Sequence, residues 1–147
     1  MNHSVQNEKG RHMTEEQLIK IALEAREKSY SPYSGYKVGA ALLTAAGKVY
    51  TGCNIENASY TPTNCAERTA FFKAVSEGER SFEAIAVVGG TGDKPTDYAW
   101  PCGVCRQVMM EFCNPKTFRV ITAIDTGKYV SKTLEEMLPC GFGPDNL

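Results

Sequence analysis

The chain has 147 residues, enough for one domain with a buried core and cramped for two. Its formal net charge of -1, from 16 basic and 17 acidic side chains, leaves no electrostatic footprint for nucleic acid or an anionic membrane. No apolar run approaches the ~20 residues needed to span a bilayer and no secretory signal is read, so the cytoplasm is the expected location.

Residues 1–12 are polar and lack periodicity, and His12-Met13 reads as the junction between an expression leader and a native start. The leader is expected to be foreign or disordered, which makes His3 and His12 poor ligand candidates; residues 13–147 are expected to form the single domain. Thr14-Glu15-Glu16-Gln17 matches a capping box, and the apolar residues after it fall at helical spacing. That helix should end near Lys28, ahead of Ser31-Pro32. Val38 to Leu43 and Val49 to Cys53, joined through Ala46-Gly47-Lys48, predict a β-hairpin. Ala66 to Val75 reads as a helix stopped at Gly78, and Ala84 to Val88 as a strand ending at Gly89-Gly90. A polar loop over 91–101 then leads to a helix from Val104 to Phe112. Strands from Arg119 to Ile124 and Tyr129 to Thr133 flank Thr126-Gly127, and Leu134 to Leu138 starts a last short helix. The order α-β-β-α-β-α-β-β-α predicts an α/β fold, a mixed sheet of roughly five strands with helices packed on its faces.

Six cysteines would permit disulfides, but a Cys-x-x-Cys with a third cysteine far upstream points to metal in a reducing compartment. Cys65, Cys102 and Cys105 supply three thiolates, and three protein ligands leave a zinc ion one open position for water, the mark of a catalytic site. Glu67, two residues after the first thiolate, is placed to take a proton from that water and return it to a leaving group. Both cysteine motifs fall where a loop enters a helix, and the positive helix start favours thiolate.

Three thiolates over-neutralise a divalent ion, and Arg68 could offset this by hydrogen-bonding to ligand sulfur. The blander readings are a closed structural zinc site completed by Cys53 or Cys113, Glu67 as a first-turn glutamate favouring the helix dipole, and Arg68 as a surface ion-pair partner. Cys53 and Cys113 otherwise read as small buried hydrophobes, and Cys140 as an oxidisable thiol.

Cys-x-Glu followed by Pro-Cys-x-x-Cys is the zinc deaminase pattern. The stretches Val38-Gly39-Ala40-Ala41-Leu42, Gly52-Cys53-Asn54-Ile55-Glu56-Asn57-Ala58, Asn64 to Ala70, Pro101 to Val108, Leu138-Pro139 and Phe142-Gly143-Pro144 resemble the small, homotetrameric cytidine deaminases. The resemblance runs from about Met13 to the C-terminus. It implies a three-layer α/β/α sandwich, one Zn²⁺ per subunit, and hydrolysis of cytidine and 2′-deoxycytidine to the uridine products and ammonia, a pyrimidine-salvage reaction. It also implies a homotetramer with sites at subunit interfaces, taking a small nucleoside and no nucleic acid. By the same resemblance Asn54 and Glu56 hydrogen-bond the ribose, while the backbone at Cys65 and Ala66, with Glu67, reads the pyrimidine. Tyr36 stands where family members commonly carry Phe, Phe142 covers the base from a neighbouring subunit, and Tyr60 approaches across an interface. Asn54 and Glu56 can also be read as strand-exit turn residues, and Tyr60 and Phe142 as core aromatics. Thr61-Pro62-Thr63 and Cys140-Gly141 depart from the family pattern beside the pocket. The alternatives are a deaminase of a cytosine-nucleoside antibiotic such as blasticidin S, and a non-catalytic, zinc-stabilised binding module.

Overall fold

The computed structural model describes residues 12–147, so the expected leader over 1–12 lies outside the described residues except at His12. Helix α1 spans Glu15–Arg26, and its capping box is present: the Thr14 hydroxyl accepts from the Gln17 amide and the Gln17 side chain accepts from the Thr14 amide. The hairpin follows as β1 (Lys37–Thr44) and β2 (Val49–Cys53). Next come α2 (Ala66–Ser76), β3 (Phe82–Gly90), α3 (Gly103–Phe112), β4 (Arg119–Asp125), β5 (Lys128–Thr133) and α4 (Leu134–Met137). A 3₁₀ turn at Pro144–Asn146, which no sequence signal announced, closes the chain. Among the described residues no helix is long and apolar enough to cross a membrane.

The five strands lie in the order β2-β1-β3-β4-β5, with β3 and β4 parallel and the other neighbours antiparallel. Alternating side chains feed two cores on opposite faces, which is the three-layer sandwich. Ala41, Leu43, Ala84, Ala86, Val88 and Ile121 meet Leu18, Ile19 and Ala22 of α1. Ala40, Leu42, Ile85, Val87 and Val120 meet Ala70, Phe71 and Met109 of α2 and α3 on the other face. Phe71 anchors this second core, its ring 5.1 Å from that of Phe82 in an edge-on contact worth about 0.5–1.5 kcal/mol beyond burial.

This topology decides where the cysteines go. Strands β2 and β3 both run antiparallel to β1, so they point the same way. Helix α2 leaves the C-terminal end of β2 and α3 that of β3, which puts both helix starts at one edge of the sheet. Glycine 52 allows the first turn of α2 to lie directly on β2: a Cβ there would strike the Ala66 carbonyl and sit 2.6 Å from the Ala70 nitrogen.

The loop into Cys102 is pinned by groups the sequence did not advertise. Arg26, only 1% exposed, donates from its guanidinium to four backbone carbonyls, those of Lys37, Gly90, Gly92 and Asp93, at 2.5–3.2 Å. A buried cation is tolerated there because its donors are matched. Further along, Thr122 Oγ1 donates to the Ala99 carbonyl at 3.1 Å and Arg106 Nε to the Pro101 carbonyl at 2.8 Å.

Candidate active and metal site

Cys65 is the N-cap of α2 and Cys102 the N-cap of α3, while Cys105 is buried in the first turn of α3. The Sγ atoms of the three lie within 4.8 Å of one another. Cys65 and Cys102 sulfurs are 3.8 Å apart, Cys102 and Cys105 sulfurs 3.5 Å. Tetrahedral zinc with Zn–S bonds of about 2.3 Å sets sulfurs about 3.8 Å apart, so the triad fits that ion. Cys53, Cys113 and Cys140 lie outside the group, which removes the closed four-cysteine reading; all six cysteines are free. Cys113 is buried as expected, whereas Cys53 is only half-buried, its Sγ 3.3 Å from the Lys28 carbonyl.

Glu67 projects from the first turn of α2 into the same place. It is 4% exposed and its Oε2 lies 3.6 Å from Cys105 Sγ. Burial pushes its carboxyl up to about 7, the nearby Cys65 thiolate adding to the rise while the backbone amide opposes it. Cys65 moves the other way, down to about 5, through hydrogen bonds from Cys105 and Arg68 that overcome its burial. The Cys105 thiol is pushed up as the donor of that pair. Arg68 donates from Nη2 to Cys65 Sγ at 3.3 Å, and its Nε is buried without a partner. Burial works against the Arg68 charge, but hydrogen bonds to Cys65 and Cys105 outweigh it and hold the guanidinium protonated. The guanidinium thus lies against the Cys65 sulfur.

The raised Glu67 carboxyl makes metal-free stability depend on pH. A folded-state value near 7 against an ordinary 4.5 means the group favours folding fully below about pH 4.5 and loses that contribution as pH rises through about 7. In reduced, metal-free protein Glu67→Gln is expected to melt above the parent at about pH 8, by an amount worth roughly 2–4 kcal/mol. The gap should close toward acid pH, as scanning calorimetry would read. A gap that ignores pH would contradict the assignment.

Of the two groups expected to meet a sugar, Glu56 borders an open cavity of about 400 Å³ lined by Tyr33, Ser34, Glu56, Asn57, Tyr60 and Thr63. Glu56 and Tyr60 are therefore brought together, whereas Asn54, Tyr36, Ala66 and Phe142 do not line this cavity. Asn54 is largely occupied: its Oδ1 accepts from the Val38 amide at 2.9 Å and from the Ser29 hydroxyl, and its Nδ2 donates to the Tyr36 carbonyl at 2.7 Å. One amide hydrogen remains for a ligand. Tyr36 packs against Gly89, where a Cβ would come within 3.1 Å of the ring. Burial, Asp97 and Glu67 all raise its hydroxyl pKa, which puts the phenol within electrostatic reach of the metal site. Ala66 is fully buried. Tyr60 is 75% exposed with φ of 57°, and Phe142 is 58% exposed with its carbonyl held by Gln107 Nε2 at 2.9 Å, so neither is a core aromatic. Cys140, φ 55°, occupies the left-handed region that glycine enters without strain.

Three thiols poised for one ion beside a buried carboxylate, at two helix starts on one edge of a mixed sheet, define a metal-dependent hydrolase site. Residues 12–122 match the family model described as the cytidine and deoxycytidylate deaminase zinc-binding region. A cytidine deaminase of Sporosarcina psychrophila is 50% identical over 135 residues, 92% of this chain and 96% of that protein. The crystal structure of cytidine deaminase from Burkholderia pseudomallei matches with a TM-score of 0.81 at 49% identity, covering 88% of this chain and 100% of that one. A blasticidin-S deaminase of Bacillus cereus is more remote, 32% identical over 130 residues, 86% of this chain and 90% of that protein. The chain belongs to the zinc-binding cytidine and deoxycytidylate deaminase family.

Proposed function

We propose that this chain hydrolyses cytidine and 2′-deoxycytidine to uridine and 2′-deoxyuridine, releasing ammonia. The observation that carries the reading is the buried Glu67 carboxylate, 3.6 Å from a sulfur of the thiol triad. Cys65, Cys102 and Cys105 would hold one zinc ion per subunit, which when bound supplies the Lewis acidity that makes water a nucleophile near neutral pH. Glu67 then moves protons. It accepts one from the attacking water and gives it to the ring nitrogen beside the reacting carbon, then takes the second from the newly added hydroxyl and gives it to the departing amine. A carbon–oxygen bond forms, the exocyclic carbon–nitrogen bond breaks, and the carboxylate is regenerated. Arg68 keeps the sulfurs' surplus charge from spreading into that proton transfer.

Glu56 supports a nucleoside over a nucleotide, because a carboxylate accepts from a sugar hydroxyl and repels a phosphate. The spare Asn54 amide hydrogen supplies a second sugar contact, and the Ala66 backbone, with Tyr36, borders the pyrimidine. Ultraviolet spectra of cytidine and 2′-deoxycytidine mixed with zinc-replete protein should shift to those of the uridine products. Conversion of blasticidin S with neither nucleoside changed would favour the antibiotic deaminase instead.

The protein is further proposed to be a cytoplasmic homotetramer with each site completed by a neighbour. The large exposed aromatic surfaces of Tyr60 and Phe142 in the single chain support this. Light scattering should give a four-chain mass, and Phe142→Ala should raise KM by about five- to tenfold, the worth of a lost aromatic contact. A monomer with unchanged KM in that variant would contradict the shared site.

A further inference from the structure

The Glu56 carboxylate does not stand free in its cavity. Its Oε1 accepts from the backbone amides of Tyr33 at 3.0 Å and Ser34 at 3.1 Å, and its Oε2 accepts from the Ser34 hydroxyl at 2.5 Å. The same hydroxyl accepts from the Tyr36 amide at 2.9 Å. One lone pair of Ser34 Oγ is thereby taken by Tyr36, which turns its hydrogen toward Glu56. The turn that presents these donors is closed by the Gly35 amide on the Ser31 carbonyl at 2.9 Å, with Gly35 at φ 68°. An ionised carboxylate offers about four lone-pair sites. Three are filled from within the chain, leaving one on Oε2 directed by Ser34.

We propose that Ser34 is a positioning residue for substrate binding: its hydroxyl fixes the rotation of the Glu56 carboxylate so that one oxygen lone pair meets one sugar hydroxyl. The inference rests on the reading of Glu56 as the acceptor of that hydroxyl. Ser34 also ties Glu56 to Tyr36, so the sugar-reading carboxylate and the aromatic bordering the base share one anchor. The Ser34 hydroxyl is the leading influence holding the Glu56 carboxyl below the usual carboxylate range, which keeps it an acceptor. Without that hydroxyl the carboxylate stays attached through Oε1 alone and swings about that attachment.

Steady-state kinetics of zinc-replete parent, Ser34→Ala, Ser34→Thr and Glu56→Gln, with cytidine and with 2′,3′-dideoxycytidine, test this. Ser34→Ala should raise KM for cytidine about tenfold, the worth of a hydrogen bond to a charged group, with kcat nearly unchanged. Ser34→Thr, which keeps the hydroxyl, should restore KM. With the dideoxy substrate, which lacks both sugar hydroxyls of the ribose ring, Ser34→Ala should match the parent. If Glu56→Gln raises KM for cytidine and Ser34→Ala does not, the positioning role is overturned while the sugar role of Glu56 stands. If Ser34→Ala depresses kcat equally with both substrates, or Ser34→Thr fails to restore KM, the serine is only part of the turn and the proposal fails. If Glu56→Gln leaves KM unchanged, the underlying reading fails and the inference with it.

Discussion

Glu67→Gln is expected to retain zinc at parental stoichiometry and to lose about ten-thousand-fold in kcat, the upper range for a single acid–base group. The effect is large because one carboxylate serves every proton transfer in the proposed reaction. Glutamine preserves the shape of the side chain, and the three thiols placed to hold a metal are untouched. Removing a carboxylate from a site where burial already disfavours its charge does not weaken the fold. Metal analysis and turnover measured on the same sample separate the roles. Parental turnover with full zinc would show that Glu67 is a bystander, and a zinc-stabilised binding module would be the better description.

Cys102→Ser should lower zinc affinity by at least about a hundredfold and abolish turnover in the presence of a competing chelator. The position makes this a clean test. Cys102 is the N-cap of α3 and its thiol makes no capping hydrogen bond. Serine is a preferred N-cap, so the helix start is preserved while the soft ligand is lost. The variant should therefore melt near the metal-free parent, losing only the stabilisation that bound zinc adds. Metal retained at parental affinity would mean that Cys102 is not a ligand.

Much of the fold was legible because local signals agreed. The Thr14-x-x-Gln17 box set the start of α1, Gly78 marked the end of α2, and the apolar runs around Ala46-Gly47-Lys48 paired as read. Boundaries erred where tertiary pairing extends an element beyond its apolar run: β3 begins at Phe82 and continues through Gly89 and Gly90, held by register with Val38 and Lys37. The metal triad was legible because Cys-x-Glu and Cys-x-x-Cys carry their chemistry in spacing alone.

What stayed hidden depends on contacts between distant segments. Arg26 lies in the last turn of α1, yet it is buried on carbonyls more than sixty residues away in sequence. Ser34 carries no signal of its own in Ser-Pro-Tyr-Ser-Gly, and only the fold sets it against Glu56. The same fold commits most of Asn54 to the backbone, a demand its motif does not reveal.

The central claim is hydrolysis at a zinc-replete triad with Glu67 as the proton carrier. Incubation of the zinc-loaded protein with cytidine in water labelled with heavy oxygen, followed by mass spectrometry of the nucleoside, tests it most directly. The account predicts uridine carrying one solvent oxygen, with one equivalent of ammonia. Unchanged cytidine at full zinc occupancy would contradict it.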